Sequence, residues 1–336
     1  MMSKNRFQGF NLLAQEMVVL FVFFTILFGA AGLQAAVVDN NQPLLAAVYY
    51  GDIQTVARML DEGADVETAD PHGDTLLVRA AGRGNLEMVQ LLLDNGASVE
   101  AEGTRTPLCE AAAKAYSEVV SLLLARGAQV NHRLASGDTP LLCVAGSGTG
   151  NKNKMVAKLL LDNGADVEAR DADGYTPLLM AIEAESMEIV SLLVDRGVNL
   201  EAKNQNGDTA LLLAAGLKNK ELVSVLADHG ADLEARNGRG DTALLLAAYQ
   251  GDVESVTVLA ERGANLEARD GDGNTALLSV AAAGNLELVR LLLNRGADIK
   301  AINFKGDDAI KKAQAGGYVK IVVLLQARLV TEKAGS

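Results

Sequence analysis

Between Gly164 and Gly296 the chain repeats itself every 33 residues. Gly164, Gly197, Gly230, Gly263 and Gly296 stand 33 apart, and so do Thr176, Thr209, Thr242 and Thr275. A fixed period of this length marks stacked supersecondary units, none of which can bury its apolar face alone. Length therefore sets no domain count, and function belongs to a surface spread over many units rather than to a compact catalytic pocket.

Each unit opens with a segment such as Asn206 to Ala215 (NGDTALLLAA) and closes with one such as Glu221 to Ala235 (ELVSVLADHGADLEA). This resembles the ankyrin repeat, a 33-residue unit with a T-P-L-H-x-A signature. Pro107, Pro140 and Pro177 follow Thr106, Thr139 and Thr176 as that signature requires. The histidine slot differs, reading Val78, Cys109, Leu142, Leu179, Leu212, Leu245 and Leu278. In the family that histidine ties neighbouring units by hydrogen bonds, and leucine there replaces the tie with apolar packing. The resemblance covers roughly 43–330 in nine tandem matches. It implies an all-α fold, an ankyrin-repeat α-solenoid of helix-turn-helix units joined by β-hairpin-like turns, about nine repeats including caps. The chain then divides into an N-terminal segment 1–36, a solenoid 38–330 and a tail 331–336.

The register locates two irregularities. Thr75 to Thr106 spans 31 residues, because Gly103-Thr104-Arg105 shortens an inter-repeat turn. Thr139 to Thr176 spans 37, with the extra residues within Gly146 to Lys154, between the two helices of that unit. The first unit lacks the threonine, and the last puts Asp308 in its slot and lysines on a face that is apolar elsewhere. Both read as caps with a polar outer side.

Within a unit, Thr242 is placed to cap the first helix by accepting from an orphan N–H. Leu244, Leu245, Ala247 and Ala248 recur at helical spacing and form one apolar stripe. The second helix runs from Val253 to Glu261 and stops before Gly263, a residue suited to the left-handed conformation past a helix end.

Residues 1–36 are different. Lys4 and Arg6 precede the apolar run Met17 to Phe28, and small residues follow it, which is the layout of a secretory signal peptide. An uncleaved N-terminal membrane anchor over 17–38 is the alternative, since that stretch carries no charge. Eukaryotic members of the family are mostly intracellular, whereas bacteria carry exported ones. The chain has no Asn-x-Ser/Thr acceptor, which leans toward a bacterial source and a periplasmic address. Cys109 and Cys143, in adjacent first helices, read as small buried apolar residues. Helix axes 8–10 Å apart leave a disulfide there poorly placed.

The net charge is −13; residues 1–36 hold only Lys4, Arg6 and Glu16, so the remainder carries −14. Such a surface repels phosphate backbones and anionic lipid, so nucleic acid is excluded and a basic protein surface is the natural partner. Membrane is a partner only if 17–38 is retained. Glu67, Glu100, Glu168, Glu201, Glu234 and Glu267 form one column, with Arg170, Lys203, Arg236 and Arg269 two residues on. These columns read as solvated, mutually screening charges.

Nothing in the sequence assembles catalytic chemistry. His72, His132 and His229 have no second ligand at metal spacing. Asp171 to Gly174 and Asp270 to Gly273 resemble calcium loops but lack the carboxylate at position twelve. Gly146 to Gly150 lacks the lysine of a phosphate-cradling loop. The chain reads as a non-enzyme with no cofactor or metal, and as a monomer.

Recognition remains. In the family, partners bind the turn tips and the inner helix face, the concave side of the stack. By register Tyr175, Arg239 and Phe304 fall on tips, and Tyr49, Tyr50, Arg83, Glu183 and Tyr249 fall near the ends of first helices on the same side. Five of the seven solenoid aromatics land there, while Tyr116 and Tyr318 sit in helix-to-helix loops. Tyrosine and arginine are frequent interface anchors. An exported scaffold binding a periplasmic protein, an inhibitor or immunity protein that covers an enzyme's active site, and a membrane-tethered structural protein would all use this surface.

Overall fold

A threonine at the start of seven of the nine units sets the fold. In the computed structural model, which describes residues 41–100 and 105–335, Thr75, Thr106, Thr139, Thr176, Thr242 and Thr275 are extended N-caps. Each hydroxyl accepts from the main-chain N–H three residues on, at 3.2–3.5 Å. Asp308 performs the same task in the last unit, accepting from Lys311 N at 2.8 Å. A short polar side chain at this position satisfies a donor that the helix leaves orphaned.

Eighteen helices among the described residues follow one another as nine pairs. The first helices are α1 (Asn41–Tyr50), α3 (Leu76–Ala81), α5 (Pro107–Ala113), α7 (Pro140–Ala145), α9 (Pro177–Glu183), α11 (Ala210–Gly216), α13 (Ala243–Gln250), α15 (Ala276–Ala283) and α17 (Ala309–Ala315). The second helices are α2 (Ile53–Asp61), α4 (Leu86–Asp94), α6 (Ser117–Ala125), α8 (Asn151–Asp162), α10 (Met187–Val194), α12 (Lys220–Asp228), α14 (Val253–Glu261), α16 (Leu286–Asn294) and α18 (Val319–Gly335). Their tip turns hold one isolated bridge, Ala69 to Thr75. The unit from Leu44 onward is the all-α repeat array expected.

Consecutive first helices pack against one another through small residues, among them Ala80, Ala111, Ala214, Ala247 and Ala281, all buried. The former histidine slot is buried too: Val78, Cys109, Leu142, Leu179, Leu212, Leu245 and Leu278 are at most 3% exposed, so apolar contact joins the units there. Gly263 takes φ +88° after α14, as its position past a helix end demands. The 37-residue unit lengthens the loop before α8 and α8 itself, which has 12 residues. Cys109 is buried, Cys143 is half-buried, and neither is bridged. The neighbouring Cys109 thiol and burial push the Cys143 thiol up, holding it protonated.

The charge columns need correction: they are not merely solvated. Each glutamate accepts from a main-chain N–H of the next unit: Glu67 from Ser98, Glu100 from Gln129, Glu168 from Asn199, Glu201 from Asp232, Glu234 from Asn265, and Glu267 from Asp298. Asn131 fills the column in the third unit and accepts from Asp166 N at 2.8 Å. The cations act on the same neighbour's carbonyls. Arg170 donates to Lys203 O, Lys203 to Arg236 O, Arg236 to Arg269 O and Arg269 to Ile302 O. The side chains thus bond to backbone and not to one another, because orphan loop donors and acceptors lie closer than the opposite charge. A third ladder links side chains at the ends of second helices: Arg126–Asp94, Arg196–Asp162, Arg262–Asp228 and Arg295–Glu261, at 2.7–3.0 Å.

The segments 1–36 and 17–38, read as signal peptide or anchor, lie outside the described residues, as does most of the shortened turn at 101–104. Helix α18 continues through 331–335, the residues set apart as a tail. Among the described residues no helix is long and apolar enough to cross a membrane.

Candidate functional site

Tip turns are shaped by an Asx residue that the sequence reading passed over. Asp70, Asp171, Asn204, Asn237, Asp270 and Asn303 each accept from two main-chain N–H groups, two and four residues on. This is why Asp171 to Gly174 and Asp270 to Gly273 look like calcium loops: their carboxylates fold the turn itself. Neighbouring tips are also joined by main chain, Gln205 N to Asp173 O and Gly238 N to Asn206 O, both at 3.0 Å. At Gly207, φ +80°, a Cβ would stand 2.9 Å from Gly238 N, so only glycine admits that approach.

The candidate residues fall into separate groups along this side. Tyr49, Tyr50 and Arg83 form one: the Arg83 guanidinium carbon lies 3.6 Å from the Tyr49 ring centroid, and the Tyr50 ring meets Tyr49 edge-on at 5.2 Å. Tyr50 is 81% exposed. Beside them a cavity of about 370 Å³ is lined by Arg79, Arg83 and Arg105 with Asp74, Glu110 and Tyr116. Its cations are partly spent, since Arg79 pairs with Asp70 and Asp74, and Arg105 with Asp74 and Glu110.

A second group spans units five to seven. The Tyr175 hydroxyl donates to Glu183 at 3.4 Å, and its ring is half-buried against the core. Burial pushes the Tyr175 hydroxyl pKa up. Glu183 and Arg239, 56 residues apart in sequence, line one cavity of about 480 Å³ together with Asp208, Leu213, Leu217 and Leu246. Leucines beside charges of both signs suit a side chain with an apolar stem and a charged head.

The third group surrounds Tyr249, whose hydroxyl donates to the Asp270 carboxylate. Burial and then that bond raise the Tyr249 hydroxyl well above its ordinary range. Burial works to raise Asp270 as well, but the hydrogen bonds from Tyr249 and Asn274 outweigh it and hold the carboxyl low. Nearby Asp241 is buried, and burial with the Asp270 charge raises it, against the pull of Arg239 and Arg236. Phe304 is 75% exposed but its ring packs closely against Gly273 of the preceding tip. Tyr116 and Tyr318, in the helix-to-helix loops, rest likewise on Gly84 and Gly284.

Sequence reasoning missed Arg79, Arg105, Asp208 and Asp241. Arg105, Asp208 and Asp241 immediately precede their unit's threonine or its equivalent, so reading that column would have found them. Among the described residues no group of His, Cys, Asp and Glu is arranged to hold a metal. Comparison with protein families matches residues 44–134, 132–204 and 196–270 to "Ankyrin repeats (3 copies)" and 259–313 to "Ankyrin repeats (many copies)". No curated protein matches the chain.

Proposed function

The chain belongs to the ankyrin-repeat family, and from that premise we propose that it is a non-catalytic scaffold that captures a protein partner on its tip and first-helix side. Repeats of this kind are generally protein–protein interaction modules. The observation that carries the reading is the cavity where Glu183, Asp208 and Arg239 meet four leucines. It is open enough to admit a side chain, and Asp241 of the seventh unit and Asp270 and Asp272 of the eighth lie further along the array. A partner that presents lysine or arginine fits this end, because the acidic residues outnumber Arg239. The Arg83–Tyr49–Tyr50 cluster offers an aromatic anchor at the other end.

Residues 1–36, with a basic start, an apolar centre and a small-residue exit, support an exported and periplasmic protein. N-terminal sequencing of the mature protein separates a free chain from one tethered through 17–38. Affinity capture from periplasmic extract with mass spectrometry identifies the partner. A Tyr49→Ala, Tyr175→Ala, Tyr249→Ala variant with normal folding should recover far less of it, and undiminished recovery would refute the reading. A captured enzyme that stops turning over on binding would make the chain an inhibitor; one that is unaffected leaves it a scaffold.

A further inference from the structure

The last second helix departs at three positions from what most interior units carry. At the outward position held by Gln90, Ser121, Lys158, Ser191, Ser224, Thr257 and Arg290 in units two to eight, α18 carries Val323. Val323 is 59% exposed, with Val319 at 70% and Val330 at 68%. Their spacing of four and seven puts the three on one stripe of the helix. Where six interior second helices have glutamate in the first turn (Glu87, Glu118, Glu188, Glu221, Glu254 and Glu287), α18 has Lys320. A cation there opposes the helix dipole. Arg328 occupies the position of the arginines that pair with the preceding unit, but the residue offered to it one unit back is Asn294, not a carboxylate. Among the described residues neither Lys320 nor Arg328 makes an ion pair. At the head of the stripe lies a cavity of about 230 Å³ lined by Gly284, Leu286, Tyr318, Val319, Lys320 and Ile321.

We propose that the outer face of α18 is a second docking surface, distinct from the tip side, and that it receives an acidic amphipathic helix of a partner protein. The stripe offers a narrow apolar seam at the spacing by which helices pack, with a pocket for one apolar anchor at its end. The cations beside it select an anionic partner. Within α18 itself Lys320, Arg328 and Lys333 stand against a single acidic residue, Glu332, in a chain of net charge −13. A second copy would bring the same cations to the seam, and an anionic bilayer would face the acidic remainder of the array.

The test uses the full chain and a labelled synthetic helical peptide of leucine–glutamate heptads, followed by fluorescence anisotropy. Binding should weaken as salt rises, and a leucine–lysine counterpart should not bind. Val323→Gln and Lys320→Glu, which install residue types that interior units already carry, should each lower affinity about tenfold or more with unchanged melting. Three results would overturn the proposal: no peptide binding, binding indifferent to both substitutions, or binding only to phosphatidylglycerol vesicles. A wild-type dimer in sedimentation that Val323→Gln dissolves would assign the stripe to self-association instead.

Discussion

The loops that close units one to seven and the loop that closes unit eight share a backbone plan but carry different charges. In the interior, a glutamate at one loop position grips the next unit's main chain, as Glu234 grips Asn265 N at 2.7 Å. Two residues on, Arg236 holds the carbonyl of Arg269. The same two positions before the ninth unit are Lys300 and Ile302, and at the spacing where the next closing loop would stand α18 continues as helix through 331–335. The pattern is therefore not a generic surface preference. Ladder residues stand where the next unit's closing loop receives them, and where α18 runs on as helix the sequence has a cation and an apolar side chain instead.

The largest test of this comparison lies in the core. Leu245 is fully buried between first helices, and Leu245→Asp should cost about 3–5 kcal/mol by leaving a charge without water or partner. Tyr249→Ala, at a half-exposed ring, should cost under about 1 kcal/mol. Equal losses in thermal melts would break the assigned register. Next comes the ladder. Glu234→Ala should destabilise by about 1–2 kcal/mol, since it removes a charge-assisted bond to a loop N–H. Lys300→Ala should change the denaturation midpoint little, and a similar loss at both would erase the contrast between interior and end.

A smaller effect of opposite sign is expected between the helices of the sixth unit. Lys218 sits at φ +60°, where Gly251 and Gly284 stand in the following units. Lys218→Gly should stabilise by up to about 1 kcal/mol in chemical denaturation. The smallest is a pH effect at Asp241. Because its folded pKa is raised, its contribution is greatest below the unfolded value of 3.8 and is lost as pH rises through the folded value. Asp241→Asn should flatten the stability profile across that window; an unchanged profile would show that burial and the Asp270 charge do not raise Asp241.

Much of the architecture was legible from spacing alone. Thr242, Val253 to Glu261 and Gly263 lie where the period puts them, and the leucines in the histidine slot are packed as apolar residues must be. The ladders were visible as columns, yet their purpose was not, because a column records which residue recurs and not which main-chain group faces it. The candidate site was legible in part. Tyr49 and Arg83 share a register side, but the stacking of one on the other depends on side-chain direction. The cavity that joins Glu183 to Arg239 also needs Leu213 and Leu246, residues that read as core until their partial exposure is seen.

Both main-chain ladders run one way: the side chain always belongs to the earlier unit and the backbone it holds to the later one. Synthesis on the ribosome proceeds in that same order. Each nascent hairpin thus emerges onto a finished template whose carboxylate and guanidinium already await it, so assembly can advance from the amino end one hairpin at a time. A chain started from its carboxyl half would offer backbone with nothing yet in place to grasp it.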